Sequence, residues 1–273
     1  MSDWKRQTPL GREASYDMAY DPGLLVPIPR VEGRQAISAP EPLPFTGCDI
    51  WNAWELSWLD GRGKPVVAWG EFRVPADSPF IIESKSLKLY LNSLNQQAFD
   101  EIATVAAVIR RDLGRAADAP VEVRLHAPED WPHAVAEPEG RCLDDLPVTI
   151  QHYLPAPDLL TAQAGRLVDE TVYSRLLRSR CPITGQPDWG GVQIHYRGPA
   201  IDLAGLLAYI VSFRQHQDFH EQCVERMFLD ILERCSPQQL TVEARYLRRG
   251  GLDINPYRSN TDRPAENRRW FLQ

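Results

Sequence analysis

Residues 191–246 read GVQIHYRGPAIDLAGLLAYIVSFRQHQDFHEQCVERMFLDILERCSPQQLTVEARY, and their apolar spacing changes from strand to helix and back. Val192, Ile194 and Tyr196 alternate, which is the period of a half-buried strand. Asp202 stands where a helix cap belongs, ahead of Leu203, Leu206, Leu207, Ile210 and Val211. Val224, Met227, Phe228, Ile231 and Leu232 mark a second helix. Val242, Ala244 and Tyr246 alternate again. Strands separated by paired helices predict an antiparallel sheet with helices on one face, an α+β arrangement.

The first half repeats that order of elements. DIWNAWELSWLD and PVVAWGEFRV read as strands joined by a GRGK turn. Phe99, Ile102, Val105, Ala106, Ile109 and Leu113 share one helical stripe, and Val121, Val123 and Leu125 alternate. ESKSLKLY, at 83–90, fits either a half-exposed strand or an amphipathic turn. Thr171 to Arg178 reads as a short helix. The proline-rich stretch from Pro128 to Pro147 reads as a loop or a link between halves. The domain reading is an irregular N-terminal arm over 1–45, a first module over 46–150 and a second over 151–273. No residue-level repeat between the halves is visible.

The 273 residues, 43% hydrophobic and 25% charged, suit a globular protein of one large or two modest domains. A net charge of -7 argues against nonspecific binding to nucleic acid or anionic membrane. No apolar run is long enough for a membrane span, and the N-terminus lacks the apolar core of a secretory signal, so a cytoplasmic location is expected. Five cysteines without a CxxC predict free thiols and no zinc ribbon.

GxGxxG, GxxxxGK[ST] and HExxH are all absent, so neither a Rossmann or P-loop phosphate site nor a zincin metal site is expected. Cys181 lies in SRCPITGQPDWGG. Pro182 forces extended geometry on it, Arg178 and Arg180 stand close, and Asp188 follows in a Pro-Asp-Trp turn. A thiolate with a nearby acid suits nucleophilic catalysis; a buried cysteine and a turn-forming aspartate explain the same spacing. His220 and Glu221 begin a helix, where a carboxylate is favoured by the macrodipole or accepts hydrogen bonds from a guanine-like edge. Arg248 and Arg249 precede Gly250 and Gly251, a pattern fitting a phosphate site or a solvated basic turn.

Taken together, LPFTGCDIW, ELSWL, ESKSLKLYLNS, CPITGQPDWG, SFRQHQDFHEQCVER and RYLRRGGLDINP resemble segments of the QueF-type 7-cyano-7-deazaguanine reductases, in the same order, from about Leu43 to Ser259. The family signature is Glu, Ser or Leu, Lys, Ser or Ala, a hydrophobe, Lys, Leu or Tyr, then an aromatic. Residues Glu83 to Tyr90 fit every position. The resemblance implies the longer, two-module form: tandem tunnelling-fold (T-fold) modules, each an antiparallel sheet with two helices on one face, in subunits that associate as a homo-oligomer, expected to be a dimer. It implies NADPH-dependent reduction of a nitrile on a 7-deazapurine to an aminomethyl group, in queuosine biosynthesis. Cys181 would be the nucleophile and Asp188 the proton donor. Ile82, Glu83, Ser84, His220 and Glu221 would bind the base, and Ser84, Lys85, Arg249 and Gly250 the cofactor NADPH. No metal, direct nucleic-acid partner or membrane is implied. Two competing readings are a metal-using T-fold cyclohydrolase and a non-catalytic purine-binding module.

Overall fold

The computed structural model describes Thr8, residues 19–130, 135–271 and Gln273. It is α+β and divides into two compact units, each gathered from separate stretches of chain. Unit 1 takes Met1–Gln35, Asp49–His133 and Arg248–Asp253. Unit 2 takes Ala36–Cys48, Ala134–Leu247 and Ile254–Gln273.

In unit 1, β1 (Pro27–Pro29) pairs with β4 (Phe80–Ile82), and α1 (Arg30–Ala36) follows β1 directly. The expected irregular arm is therefore ordered structure over its described C-terminal part; residues 1–7 and 9–18 of it lie outside the described residues. Arg30 explains the order. It is buried, and its guanidinium reaches Asp49 at 2.5 Å and Ser78 at 3.0 Å, a charge that only a paired, hydrogen-bonded environment tolerates. β2 (Thr46–Leu59), β3 (Pro65–Pro75) and β5 (Glu122–His126) are neighbours in the order β5-β3-β2. Helices α2 (Ser84–Ser93) and α3 (Ile102–Ala117) lie between β4 and β5 in the chain, and α3 packs on β5. ESKSLKLY is thus neither strand nor turn. Glu83 caps α2, its carboxylate accepting the N–H groups of Lys85 and Ser86 at 2.8 Å each, and Leu87 and Tyr90 face the core.

In unit 2 the strand order is β11-β10-β9-β7-β6, with β8 also on β9. The members are β6 (Arg141–Cys142), β7 (Ala162–Ser174), β8 (Arg178–Arg180), β9 (Pro187–Ile201), β10 (Gln239–Tyr246) and β11 (Leu252–Ser259). The helix expected over 171–178 does not form. Thr171, Val172 and Tyr173 are the end of β7, paired with His195, Ile194 and Gln193 of β9, as β-branched and aromatic residues prefer. The two predicted helices are α4 (Leu203–Ser212), capped by Asp202, and α5 (His220–Cys235), packed on β10.

The structure reveals an internal correspondence that the residues alone conceal. α2 and α4 are both 10 residues long, and α3 and α5 both 16. Glu83 and Asp202 make the same two-bond cap. The Ser93 hydroxyl donates to Tyr90 O, as that of Ser212 does to Tyr209 O, at 2.6 Å in both. Tyr90 donates to Asp112 and Tyr209 to Asp230. The long helices end on left-handed Asp118 and Ser236. These partners stand 118 or 119 positions apart throughout, so the units share one supersecondary plan.

Candidate functional site

In unit 2 a short hairpin builds the thiol's surroundings. Ser179 of β8 lies opposite Asp188 of β9, and Arg180 opposite Pro187. Cys181 leaves β8 into a tight loop. Its N–H donates to Gln186 O and its carbonyl accepts from Gly185 N, both at 2.9 Å. Gly185 has φ 69°, the left-handed region, which the reversal requires. The loop turns the Thr184 N–H toward Cys181 Sγ at 3.5 Å, a donor that favours negative charge on sulfur. The Arg180 Nε bonds Gly185 O at 3.0 Å and so braces the loop. Cys181 follows a strand rather than a helix, and it is buried, with 6% of its surface exposed.

Asp188 is buried too, and its Oδ2 lies 3.4 Å from Nε2 of His220 at the start of α5. The imidazole stacks on Tyr246 of β10, with centroids 3.8 Å apart. Nδ1 of His220 is buried and has no hydrogen-bond partner. Glu221, next in the chain, is 2% exposed in the first turn of the helix. Phe219 offers no side-chain cap there, so the helix dipole alone already favours a carboxylate. Behind this group sit Cys223, Ser179 and the Tyr246 hydroxyl. They are within electrostatic reach of one another, although neither hydroxyl attains hydrogen-bond geometry, and burial pushes the Cys223 thiol and the Tyr246 phenol well up. The sequence reading missed Tyr246 and Ser179. Alternation marks Tyr246 as inward-facing, but nothing local announces its ring beneath His220.

Unit 1 holds the remaining expected residues. Ile82 closes β4, buried and paired with Pro27. Glu83 is fully buried, and burial raises its carboxyl pKa against the opposing pull of the Lys85 and Ser86 N–H groups and the Thr8 and Ser84 side chains. Ser84 and Lys85 begin α2, half-buried. Arg249, Gly250, Gly251 and Leu252 form a two-residue hairpin turn. Arg249 N donates to Leu252 O at 2.9 Å, and the glycines have φ 58° and 77°, the primed turn that Gly-Gly favours. A Cβ at position 250 would lie 2.8 Å from Lys88 Nζ, so the turn sits directly against α2. Lys88 also pairs with Glu55 at 3.3 Å, and the Arg248 guanidinium lies over the Trp54 ring. An open cleft is lined here by Glu55, Lys88, Asn92, Asn95, Gly250 and Gly251. Asn95 Oδ1 is buried without a partner. Lys88 and Asn92 on α2, and Asn95 just past its end, are further polar groups to which the sequence reading gave no role.

Two family models match the chain. One, described as nitrile reductase, 7-cyano-7-deazaguanine-reductase N-term, matches residues 16–125; one described as QueF-like protein matches residues 187–265. The NADPH-dependent 7-cyano-7-deazaguanine reductase of Dechloromonas aromatica (strain RCB) is 55% identical over 267 residues, covering 97% of this chain and 94% of the relative. That of Bordetella pertussis (strain Tohama I / ATCC BAA-589 / NCTC 13251) is 55% identical over 253 residues, 92% of this chain and 93% of the relative. That of Azoarcus sp. (strain BH72) is 56% identical over 267 residues, 95% and 93% of the two chains. With more than half of its residues shared along nearly its whole length, the chain belongs to the NADPH-dependent 7-cyano-7-deazaguanine reductase family.

Proposed function

We propose that this enzyme reduces the nitrile of 7-cyano-7-deazaguanine to the aminomethyl group through a thioimide on Cys181, consuming two NADPH, and serves queuosine biosynthesis. The observation that carries the reading is the β8–β9 hairpin. It sets a thiol with an N–H donor on its sulfur at one end of a turn and a buried Asp188–His220 pair at the other.

A nitrile carbon is an electrophile that hydride attacks poorly. Addition of the Cys181 sulfur to that carbon, with a proton passed from Asp188 to the nitrogen, gives a thioimide, a better acceptor. NADPH, when bound, would supply the hydride for this carbon; breaking of the C–S bond then releases the Cys181 thiolate and leaves an imine, for which a second NADPH would supply the hydride. His220 holds the Asp188 carboxyl in place and shares its proton. Glu221 and Glu83 accept hydrogen bonds from the base edge, Glu83 with the same carboxylate that caps α2. Ile82 and Ser84 complete the base site.

The polar cleft beside Gly250 fits a dinucleotide, because it offers a cation at Lys88, an unsatisfied amide oxygen at Asn95 and a backbone bare of Cβ atoms. Of the residues that would hold NADPH, Gly250 lines this cleft, Arg249 precedes it in the turn, and Ser84 and Lys85 begin the helix that carries Lys88, side-chain cations replacing the absent glycine-rich helix start. The same proposal includes the tandem-module division near residue 150 and assembly as a homodimer. Incubating the protein with the nitrile base without NADPH tests the central step. Intact-mass spectrometry should show one base added at Cys181, and no added mass would overturn covalent catalysis.

A further inference from the structure

In the reacting hairpin and next to it, unit 2 gathers three arginines that the reaction above gives no contact with substrate. The guanidinium carbons of Arg178 and Arg214 lie 5.2 and 5.5 Å from the ring centroid of Trp189. Arg178 Nη1 donates to the backbone carbonyl of Arg214 at 3.1 Å, which ties β8 to the segment after α4. Arg180 belongs to the same strand as Arg178. Burial, then the charges of Arg214 and Arg180, lower the pKa of Arg178, so the three cations stand close enough to repel. Among the described residues no carboxylate pairs with any of them. Nε of Arg178 is buried without a hydrogen-bond partner. Trp189, adjacent to Asp188, is 43% exposed, an unusual state for the largest apolar side chain.

Like charges held together without a counter-charge cost stability unless an anion completes them. The exposed indole adds an aromatic face at the same place. We propose that Arg178 and Arg214, set over Trp189, together with Arg180 on the same strand as Arg178, form an anion site that takes a phosphoryl group of the dinucleotide cofactor. Planar guanidinium forks match phosphoryl oxygens two at a time, which three lysines would not do. Arg178, Arg180 and Arg214 belong to unit 2, whereas Lys85 and Arg249 belong to unit 1. The inference rests on the reading that this enzyme uses NADPH.

The test is calorimetric titration of the full-length protein with NADP⁺ and with NAD⁺, for wild type, Arg178→Gln, Arg214→Gln and the double variant. Each single change should weaken NADP⁺ binding about tenfold, the scale of one charged hydrogen bond, and the double variant more. If NAD⁺ weakens equally, the pyrophosphate is the group held; if only NADP⁺ weakens, it is the 2′-phosphate. Formation of the Cys181 adduct without cofactor should persist in these variants, so loss of the anion site is distinguishable from failure of covalent catalysis. The Arg178→Lys, Arg214→Lys variant guards against a folding defect, since it should keep intermediate affinity. Wild-type NADP⁺ affinity in the double glutamine variant would overturn the proposal.

Discussion

The imidazole of His220 lies flat on the ring of Tyr246, the planes only 9° apart. That stack leaves the imidazole one plane to occupy, with Nε2 directed at Asp188. Tyr246→Phe keeps the ring and removes a buried hydroxyl that lacks a hydrogen-bond partner, so stability and turnover should stay near wild type. Tyr246→Leu removes the stacking ring and frees the imidazole, and kcat should fall by as much as about 100-fold, the cost of displacing a reacting group by ~1 Å. Steady-state kinetics beside thermal melts separates the two. A fully active leucine variant would mean that the stack does not position His220.

Cys181→Ala should abolish the adduct and turnover and leave binding of the base measurable by calorimetry. The alanine fits the same loop, since the Gln186 and Gly185 bonds use only the backbone of residue 181. Nitrile reduction at a rate comparable to wild type would remove the covalent step.

Asp188→Asn should slow turnover about 100- to 10,000-fold, because an amide cannot donate as an acid does. The fold should tolerate it, as the backbone of residue 188 stays in β9. Kinetics across the working pH range decides; unchanged rates would assign the proton to another group.

Glu83 should leave a signature in stability against pH. Burial raises its folded pKa above the unfolded value, so between the two the folded state binds the extra proton. Stability contributed by that proton is complete below the ordinary carboxylate value, about 4.3, and is lost as pH rises through the folded pKa. The slope can reach about 1.4 kcal/mol per pH unit. Urea denaturation from about pH 4.5 to 7 should show this fall in wild type and a flatter profile in Glu83→Gln. Matching profiles for both proteins would mean that Glu83 titrates alike folded and unfolded.

The periods of residues 192–246 announced β9, α4, α5 and β10, because each buries one face of regular spacing. Other elements hid for physical reasons. Val172, Leu176 and Leu177 imitate a helical stripe, and only pairing with β9, some 20 residues on, makes a strand of residues 171–174. Glu83 as a helix cap breaks the usual preference for short capping side chains, which disguised α2. The correspondence of the halves is carried by geometry, a Tyr–Asp bond and a Ser hydroxyl, within otherwise dissimilar helices. Cys181 and Asp188 were legible as neighbours in sequence. The Asp188–His220 contact was not, since 32 positions separate its members.

The path of the chain carries a consequence for its birth on the ribosome. Unit 1 is begun by the earliest residues, yet its last piece, Arg248–Asp253, bears the double-glycine turn against α2 and emerges only after most of unit 2 has been made. Neither unit is an uninterrupted segment, so no single stop codon or protease cut yields one of them intact. Nascent chains must therefore hold an unfinished first unit while the second is still being translated, and a gene split near codon 150 should give halves that regain structure only when expressed together.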